Sequence, residues 1–382
     1  MSDAPRVLML VAQFWPIVGG AENQARRLAA ELVRQGASAE VWTGHWDASW
    51  PREAVLDGVR VRRIGPSWPR AVPRLRRWLF MAVLWRALTR EARRFDVIHV
   101  HQVLYAAFLA ALAGWRRGVP CLARISSTGS TSDLRMAARG GLGIQRAVTR
   151  RLLTRIVAVN ARAEAECLDA GYRRDQVVRI PNGVAVGPPP ARTERAVVTI
   201  LYLGGLRAEK RVEDIIEAWT VAGRPGRLRV AGDGPHRQRL EALAAGSVEF
   251  LGDVKDPSPL LRDADVFVLA SDAEGMSNAL LEAMAAGCAC IATFVGGNVD
   301  LLGPEQAAEP SAGTYLRGSA GLIVSPGDVA ALAAALRDLS FDPGLRRALG
   351  DAAYRRCLED YAIGDVARRY LDLYRALRVR AS

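Results

Sequence analysis

The chain has 382 residues, half of them hydrophobic, and a net charge of +12; that is long for one core and suits two domains of about 190 residues, each able to bury most of its apolar surface. Five cysteines without a C-x2-C pair argue against a disulfide framework and a zinc site and fit a reducing cytoplasm. The charge is uneven: residues 1–187 carry 29 basic and 14 acidic side chains, net +15, whereas residues 188–382 carry 23 and 26, net −3, so the two halves face different partners.

The first apolar run, Val7 to Ala12, is too short for a signal-peptide core and lacks a cleavage site, so no export is expected. Val7–Val11 reads as a buried strand, Gln13 to Gly20 as a turn whose Gly19 and Gly20 let backbone approach a ligand, and Ala21 to Gln35 as an amphipathic helix. Ala39–Thr43 and Val59–Ile64 are further strands. Ala71 to Arg94 reads as one or two helices in which Arg70, Arg74, Arg76, Arg77, Arg86, Arg90, Arg93 and Arg94 alternate with Trp78, Phe80 and Trp85. Such a segment is either a basic aromatic face at a lipid headgroup layer or a core helix with an arginine-covered outer side. Asp96–His101 is read as the fourth strand, with His99 and His101 on one side and structural in role. Val97 to Trp115 nears the length of a membrane span, but His99, His101, Gln102 and Gly114 make it a strand followed by a helix. Pro120–Gly129 and Ile156–Asn160 supply two more strands, and the proline run Gly187–Pro190 is the natural linker.

The second half repeats the strand, glycine turn and helix pattern. Val197–Leu203 leads into Gly204-Gly205 and the cations Arg207, Lys210 and Arg211, an anion site at the start of a helix. Asp263 and Asp265 spell D-x-D but end a helix and enter a strand, so they read as structural and no metal is expected. Val266–Ala270 is a buried strand, and a helix of about nine residues starts at Ser277 or Asn278 and stops at Gly287. Its amino end can hold a diphosphate at the carboxyl end of the strand. Glu274 and Glu282 flank that place; eight helical positions separate two residues by roughly 80° and about 12 Å, which suits gripping two ends of an elongated polyhydroxy ligand. Cys288 and Cys290 alternate in an apolar run and read as core, and Asp365–Arg380 as a terminal helix.

Glu274 to Glu282 resembles the E-x7-E signature of glycosyltransferase family 4, and Gly287 to Asp300 is similar to that family's A-x-G-x-P-V-V-A-x-x-x-G-G-x-x-E run, with Asp300 where Glu is usual. Gly19–Glu22, Val178–Val184, Gly232–Pro235 and Val248–Asp253 resemble other elements of the family. Gly204–Arg211 is similar to its G-R-L-x3-K-G turn, Lys210 matching the lysine and Gly205 standing where arginine is usual, with Arg207 or Arg211 available for the missing charge. Ser126 stands near the place of a histidine beside the donor sugar, where Arg124 is the candidate substitute, so the identity of the sugar stays open.

The resemblance implies an α/β chain of two Rossmann-like domains facing across a cleft, the GT-B fold. Residues 1–187 are then the acceptor side, 188–364 the nucleotide-sugar side, and 365–382 a C-terminal helix packing back on the first domain. It implies retaining, metal-independent transfer from a nucleotide diphosphate sugar without a cofactor. Glu274, Lys210 and Arg207 are the candidate catalytic residues, and Gly19, Gly20, Gly205, Gly275, Met276, Ser277, Asn278, Ala279 and Glu282 the candidate donor contacts. An epimerase and a non-catalytic relative are the rival classes. Eight of nine tryptophans lie from Trp15 to Trp115, in the basic half. No nucleic-acid motif accompanies them. The expected partner is therefore an anionic membrane surface, the expected acceptor a lipid-linked saccharide of bacterial cell-surface polysaccharide or glycolipid synthesis, and the expected location the inner face of the cell membrane. A soluble acceptor is the alternative.

Overall fold

The structure, a computed structural model, describes residues 4–17, 19–67, 73–129, 132–140, 143–189, 195–303 and 308–379, with the backbone course alone at 73–77, 137–140, 143–144 and 379. The chain divides into two compact units, Met1–Gly183 with Ile363–Ser382, and Val184–Ala362.

The first unit contains β1 (Arg6–Val11), β2 (Ser38–Gly44), β3 (Glu53–Leu56), β4 (Val59–Ile64), β5 (Val97–His101), β6 (Cys121–Arg124), β7 (Arg155–Ala158) and β8 (Val177–Arg179). They form one sheet in the order β3-β4-β2-β1-β5-β6-β7-β8. Its helices are α1 (Gly20–Arg34), α2 (Pro73–Glu91), α3 (Tyr105–Arg117), α4 (Asp133–Gly140), α5 (Gly143–Leu152) and α6 (Ala161–Asp169). Apart from β3 the strands pair in parallel. Helices cover both faces, so the central strands are buried almost end to end and read as unbroken apolar runs.

The sequence reading passes over β3. It is a half-exposed edge strand antiparallel to β4, and the hairpin closes at Asp57 and Gly58 with φ of 51° and 79°. Positive φ at both turn residues is the tight hairpin geometry that Asp-Gly favours. Val97–His101 is therefore the fifth strand, not the fourth.

Val97 to Trp115 is β5 running into α3, and no helix among the described residues is long and apolar enough to cross a membrane. The basic aromatic segment is α2 followed by a 3-10 turn at Ala92–Arg94. Phe80, Leu84 and Leu88, four residues apart, bury one stripe of α2, while Trp78, Arg86 and Arg90 are exposed. Arg70 lies outside the described residues, as do the side chains of Arg74, Arg76 and Arg77.

The C-terminal helix Ile363–Val379 belongs to the first unit. Val366, Ala367, Tyr370, Leu371, Tyr374 and Leu377 recur every three or four residues and enter the core shared by β1, β2 and α1. Gln35 Nε2 donates to Gly364 O at 2.8 Å, and His99 Nδ1 lies 2.8 Å from Tyr374 Oη.

The second unit contains β9 (Thr199–Leu203), β10 (Arg227–Ala231), β11 (Glu249–Gly252), β12 (Val266–Leu269), β13 (Ala289–Thr293), β14 (Leu316–Arg317) and β15 (Leu322–Val324), ordered β11-β10-β9-β12-β13-β15-β14. Its helices are α7 (Val212–Val221), α8 (Arg237–Ala244), α9 (Ser258–Asp263), α10 (Asn278–Ala285), α11 (Gly297–Leu302), α12 (Val329–Phe341) and α13 (Pro343–Asp360). Strand order reverses between β9 and β12, and the crevice outside the carboxyl ends of strands at such a switch is where open α/β sheets bind ligands. The loops leaving β9 and β12 are those that hold Lys210 and Glu274.

Candidate active site

Four buried residues, Val266 to Leu269, make β12, and the chain leaves it through a polar turn into α10. Ser277 is extended, with φ −70° and ψ 117°, and its Oγ accepts from Leu280 N at 3.3 Å. That cap starts the helix one residue later, at Asn278. Leu280, Leu281, Ala283 and Met284 turn inward, and Gly287, with φ 72°, lies just past the end. Glu282 is half-buried one turn into the helix; Gly275, Met276 and Ser277 are buried, and Asn278 and Ala279 half-buried, around its amino end.

The turn is fixed by its neighbours. Asp272 N donates to Glu209 O at 2.9 Å, Gly297 N to Gly275 O at 2.7 Å, and Thr293 Oγ1 to Ser271 O at 2.6 Å. Lys210 and Glu274 are brought together: Nζ lies 2.6 Å from Oε1, with side chains 25% and 11% exposed. Arg207 is exposed in the same β9–α7 loop. Arg211 pairs with Asp214 at 2.6 Å and faces Asp272 at 3.6 Å. A β-carbon on Gly205 would meet Arg207 Nε at 3.6 Å, an ordinary contact, and Gly205 O accepts from Tyr202 Oη at 3.0 Å.

Gly232 and Gly234 have a packing role. A β-carbon at Gly232 would come within 1.9 Å of Gly204 O, and one at Gly234 within 2.4 Å of Leu206 O. Leu206 N donates to Asp233 O at 3.0 Å and His236 N to Leu206 O at 3.1 Å. The Gly-Asp-Gly-Pro turn and the β9–α7 loop are thus stacked backbone on backbone, an approach only glycine permits.

In the first unit Gly19 caps α1 without a side-chain bond. The Glu22 carboxylate lies over it, so that a β-carbon on Gly19 would come within 2.3 Å of Oε2, and burial pushes the Glu22 pKa up. His99 and His101 are buried and stacked, 4.3 Å between rings, and His99 also stacks on Tyr370 at 5.1 Å. Burial, with the Arg124 charge beside it, lowers the pKa of His99 to about 3, and the same burial depresses His101 well below the usual imidazole range. Both rings are enclosed in aromatic and apolar packing, with His99 Nδ1 against Tyr374 Oη. Arg124 is buried and bonded to Asn182 Oδ1. Ser126 N donates to Asp133 Oδ2 at 2.6 Å.

No group of three or more metal-ligating side chains occurs among the described residues. Asp263 pairs with Arg195 and Arg229, and Asp265 Oδ2 accepts from Thr199 N at 2.8 Å. The sequence reading missed Tyr202, Asp272 and the way Arg211 is held. Tyr202 lay hidden in an apolar run, and whereas Asp214 is a local i,i+3 partner of Arg211, Asp272 comes from a distant loop that no local pattern encodes.

Two strand, glycine-turn and helix sheets, each with a switch point, together with a paired lysine and glutamate at a helix amino end, define an α/β protein of the GT-B type. Residues 197–342 match the family model described as glycosyl transferases group 1, and residues 19–183 the glycosyl transferase 4-like domain. The chain is 31% identical over 413 residues to a 2-deoxystreptamine N-acetyl-D-glucosaminyltransferase of Streptomyces fradiae, covering 96% of this chain and 94% of that protein. It is 28% identical over 438 residues to a D-inositol 3-phosphate glycosyltransferase of Kineococcus radiotolerans, covering 100% and 98%. The fold is similar to a sucrose-phosphate synthase from Thermosynechococcus elongatus (TM-score 0.78, 22% identity, covering 98% of this chain and 100% of that one). It is also similar to Anabaena HepE in complex with UDP-glucose (TM-score 0.74, 17% identity, covering 97% and 100%). The chain belongs to the glycosyltransferases that these two family models describe.

Proposed function

We propose that this protein is a retaining glycosyltransferase that takes a sugar from a nucleoside diphosphate sugar through the second unit, with the first unit on the acceptor side. The observation that carries the reading is the 2.6 Å Lys210–Glu274 pair at the amino end of α10. Breaking the bond from anomeric carbon to diphosphate leaves negative charge on the leaving group. Lys210, Arg207 and the positive pole of α10 stabilise that charge without a metal. Glu282, one turn into α10, takes paired hydroxyls of the nucleotide ribose. Gly275 to Ala279 take the diphosphate at the amino end of α10, with Gly205 of the β9–α7 loop beside them in the second unit. The UDP-glucose bound to HepE supports such a donor.

For the acceptor we propose a lipid-linked saccharide presented at the inner leaflet, in cell-surface polysaccharide or glycolipid synthesis. The net +15 of residues 1–187 supports this, as do Trp78 on α2 and Trp115 on α3, exposed by 67% and 66% on two helices that pack together. A soluble acceptor is the second reading, favoured by the Streptomyces fradiae relative, whose name gives 2-deoxystreptamine. A panel of UDP-, GDP- and ADP-sugars, assayed for binding and for slow hydrolysis, tests the donor half. Saturable binding of one class is the expected result, and binding of none refutes it.

A further inference from the structure

Arg211 holds φ 47° and ψ 46°, at the corner between a 3-10 turn ending in Lys210 and the start of α7. A β-carbon makes this left-handed conformation unfavourable, and strain kept beside a site points toward a use for it. The corner sends the guanidinium across to the β12–α10 turn. Nε lies 2.6 Å from Asp214 Oδ2 and 3.6 Å from Asp272 Oδ1. On a third side it is confined by the turn at Gly327, where a β-carbon would come within 3.2 Å of Nη2.

Three successive residues of one loop therefore meet the other: Glu209 O receives Asp272 N at 2.9 Å, Lys210 pairs with Glu274 at 2.6 Å, and Arg211 faces Asp272 at 3.6 Å. The charges around Asp272 give Arg211 its importance. Burial and the nearby carboxylates of Asp214 and Glu213 push the Asp272 pKa up, and Arg211 opposes them. Without that cation, the carboxylates of Asp214 on α7 and Asp272 on the β12–α10 turn would face each other without a counter-charge between them.

We infer that Arg211 is a positioning residue: by bridging Asp214 and Asp272 it keeps Lys210 and Glu274 in register at the amino end of α10, without itself touching the nucleotide sugar. This rests on the glycosyltransferase reading above. The charge account makes a prediction that simple loss of packing does not, namely that removing Asp272 offsets the removal of Arg211.

The experiment titrates UDP, GDP and ADP by calorimetry into wild type, Asp272→Asn, Arg211→Gly and the double variant, with thermal melts of each. Glycine adopts the left-handed corner without strain, and asparagine keeps the shape of Asp272 and its backbone bond to Glu209. For the diphosphate that wild type binds best, Arg211→Gly is expected to weaken affinity about ten-fold and Asp272→Asn about two-fold, with the double variant returning to the two-fold level. At high salt the spread is expected to narrow, because partly exposed charges are screened. A double variant no better than Arg211→Gly overturns the inference, as do single variants that bind like wild type. A loss that follows the melting temperature across the series also overturns it. Wild type that binds none of the three refutes the glycosyltransferase reading, and the inference with it.

Discussion

Replacing Lys210 by alanine tests the candidate chemistry most directly. Lys210 Nζ lies 2.6 Å from Glu274 Oε1, and both groups are largely shielded from water. At an effective dielectric of about 20 the gross attraction at that distance is about 6 kcal/mol, most of it offset by the cost of desolvating the two ions. The resting pair therefore contributes little net stability, and the Lys210 charge is available when the leaving diphosphate develops its own. Removing one preorganised donor of that kind costs about 3 to 4 kcal/mol in the transition state, or roughly 100- to 1000-fold in kcat. Ground-state binding is expected to suffer less, with KM for the nucleotide sugar changing by less than about ten-fold, because the charge acts mainly as the bond breaks. Steady-state kinetics with the best donor separate the two, and Lys210→Arg, which keeps the charge, is expected to recover part of the rate. Equal losses in kcat and in donor affinity would refute the reasoning, since Lys210 would then be an ordinary binding contact.

Glu282→Ala is expected to weaken nucleotide-sugar binding by about 1.5 to 3 kcal/mol for each charge-assisted bond lost; calorimetry showing unchanged affinity would remove Glu282 from the site. If fixed cations serve in place of a metal, an excess of chelator leaves turnover intact, and a loss restored by a divalent ion contradicts that mechanism. Wild type is expected to co-sediment with anionic vesicles at low salt, and a variant with Glu at positions 74, 76 and 77 is expected to stay in solution. Equal behaviour of the two proteins takes α2 out of the contact. His99, whose pKa falls from 6.5 to about 3 on burial, favours the neutral folded form. Its contribution is present above pH 6.5 and lost as the pH falls toward 3, amounting to about 2 kcal/mol by pH 5. Thermal melts from pH 7 to 5 are expected to show a shallower decline in His99→Gln, and an unchanged slope would argue against a buried neutral imidazole.

Much of the fold was legible because buried parallel strands leave continuous apolar runs and the glycine turns that follow them are conspicuous. Ser277 and Gly287 marked the ends of α10 by their capping chemistry, and Val97–Trp115 resolved into strand and helix on the strength of its polar residues. β3 escaped notice because a four-residue, half-exposed edge strand has almost no hydrophobic pattern, although Asp57-Gly58 was a usable signal. In the site, residue types were readable and pairings were not. Lys210 and Glu274 stood out separately, but their contact spans 64 positions. Arg211 read as one more cation of a basic turn, because its left-handed backbone and its approach to Asp272 are set by tertiary structure, although Asp214 at i+3 was a usable local signal. Gly232 and Gly234 read only as part of a family-like turn, and the reason for their lack of side chains, the close packing of two backbones, shows only in the structure.

The C-terminal helix imposes an order on the birth of this protein. Tyr370, Tyr374 and their neighbours fill a core whose other walls are β1, β2 and α1, and Tyr374 supplies the partner of His99. About half the chain, the whole of the second unit, lies between those walls and the helix that completes them. A ribosome emits the walls first, so the first unit is completed only after Val184–Ala362 has been made and Ile363–Val379 has followed it. Chains cut short anywhere in the second unit lack Val366, Tyr370 and Tyr374 and leave the apolar side chains of β1, β2 and α1 that they cover open to water.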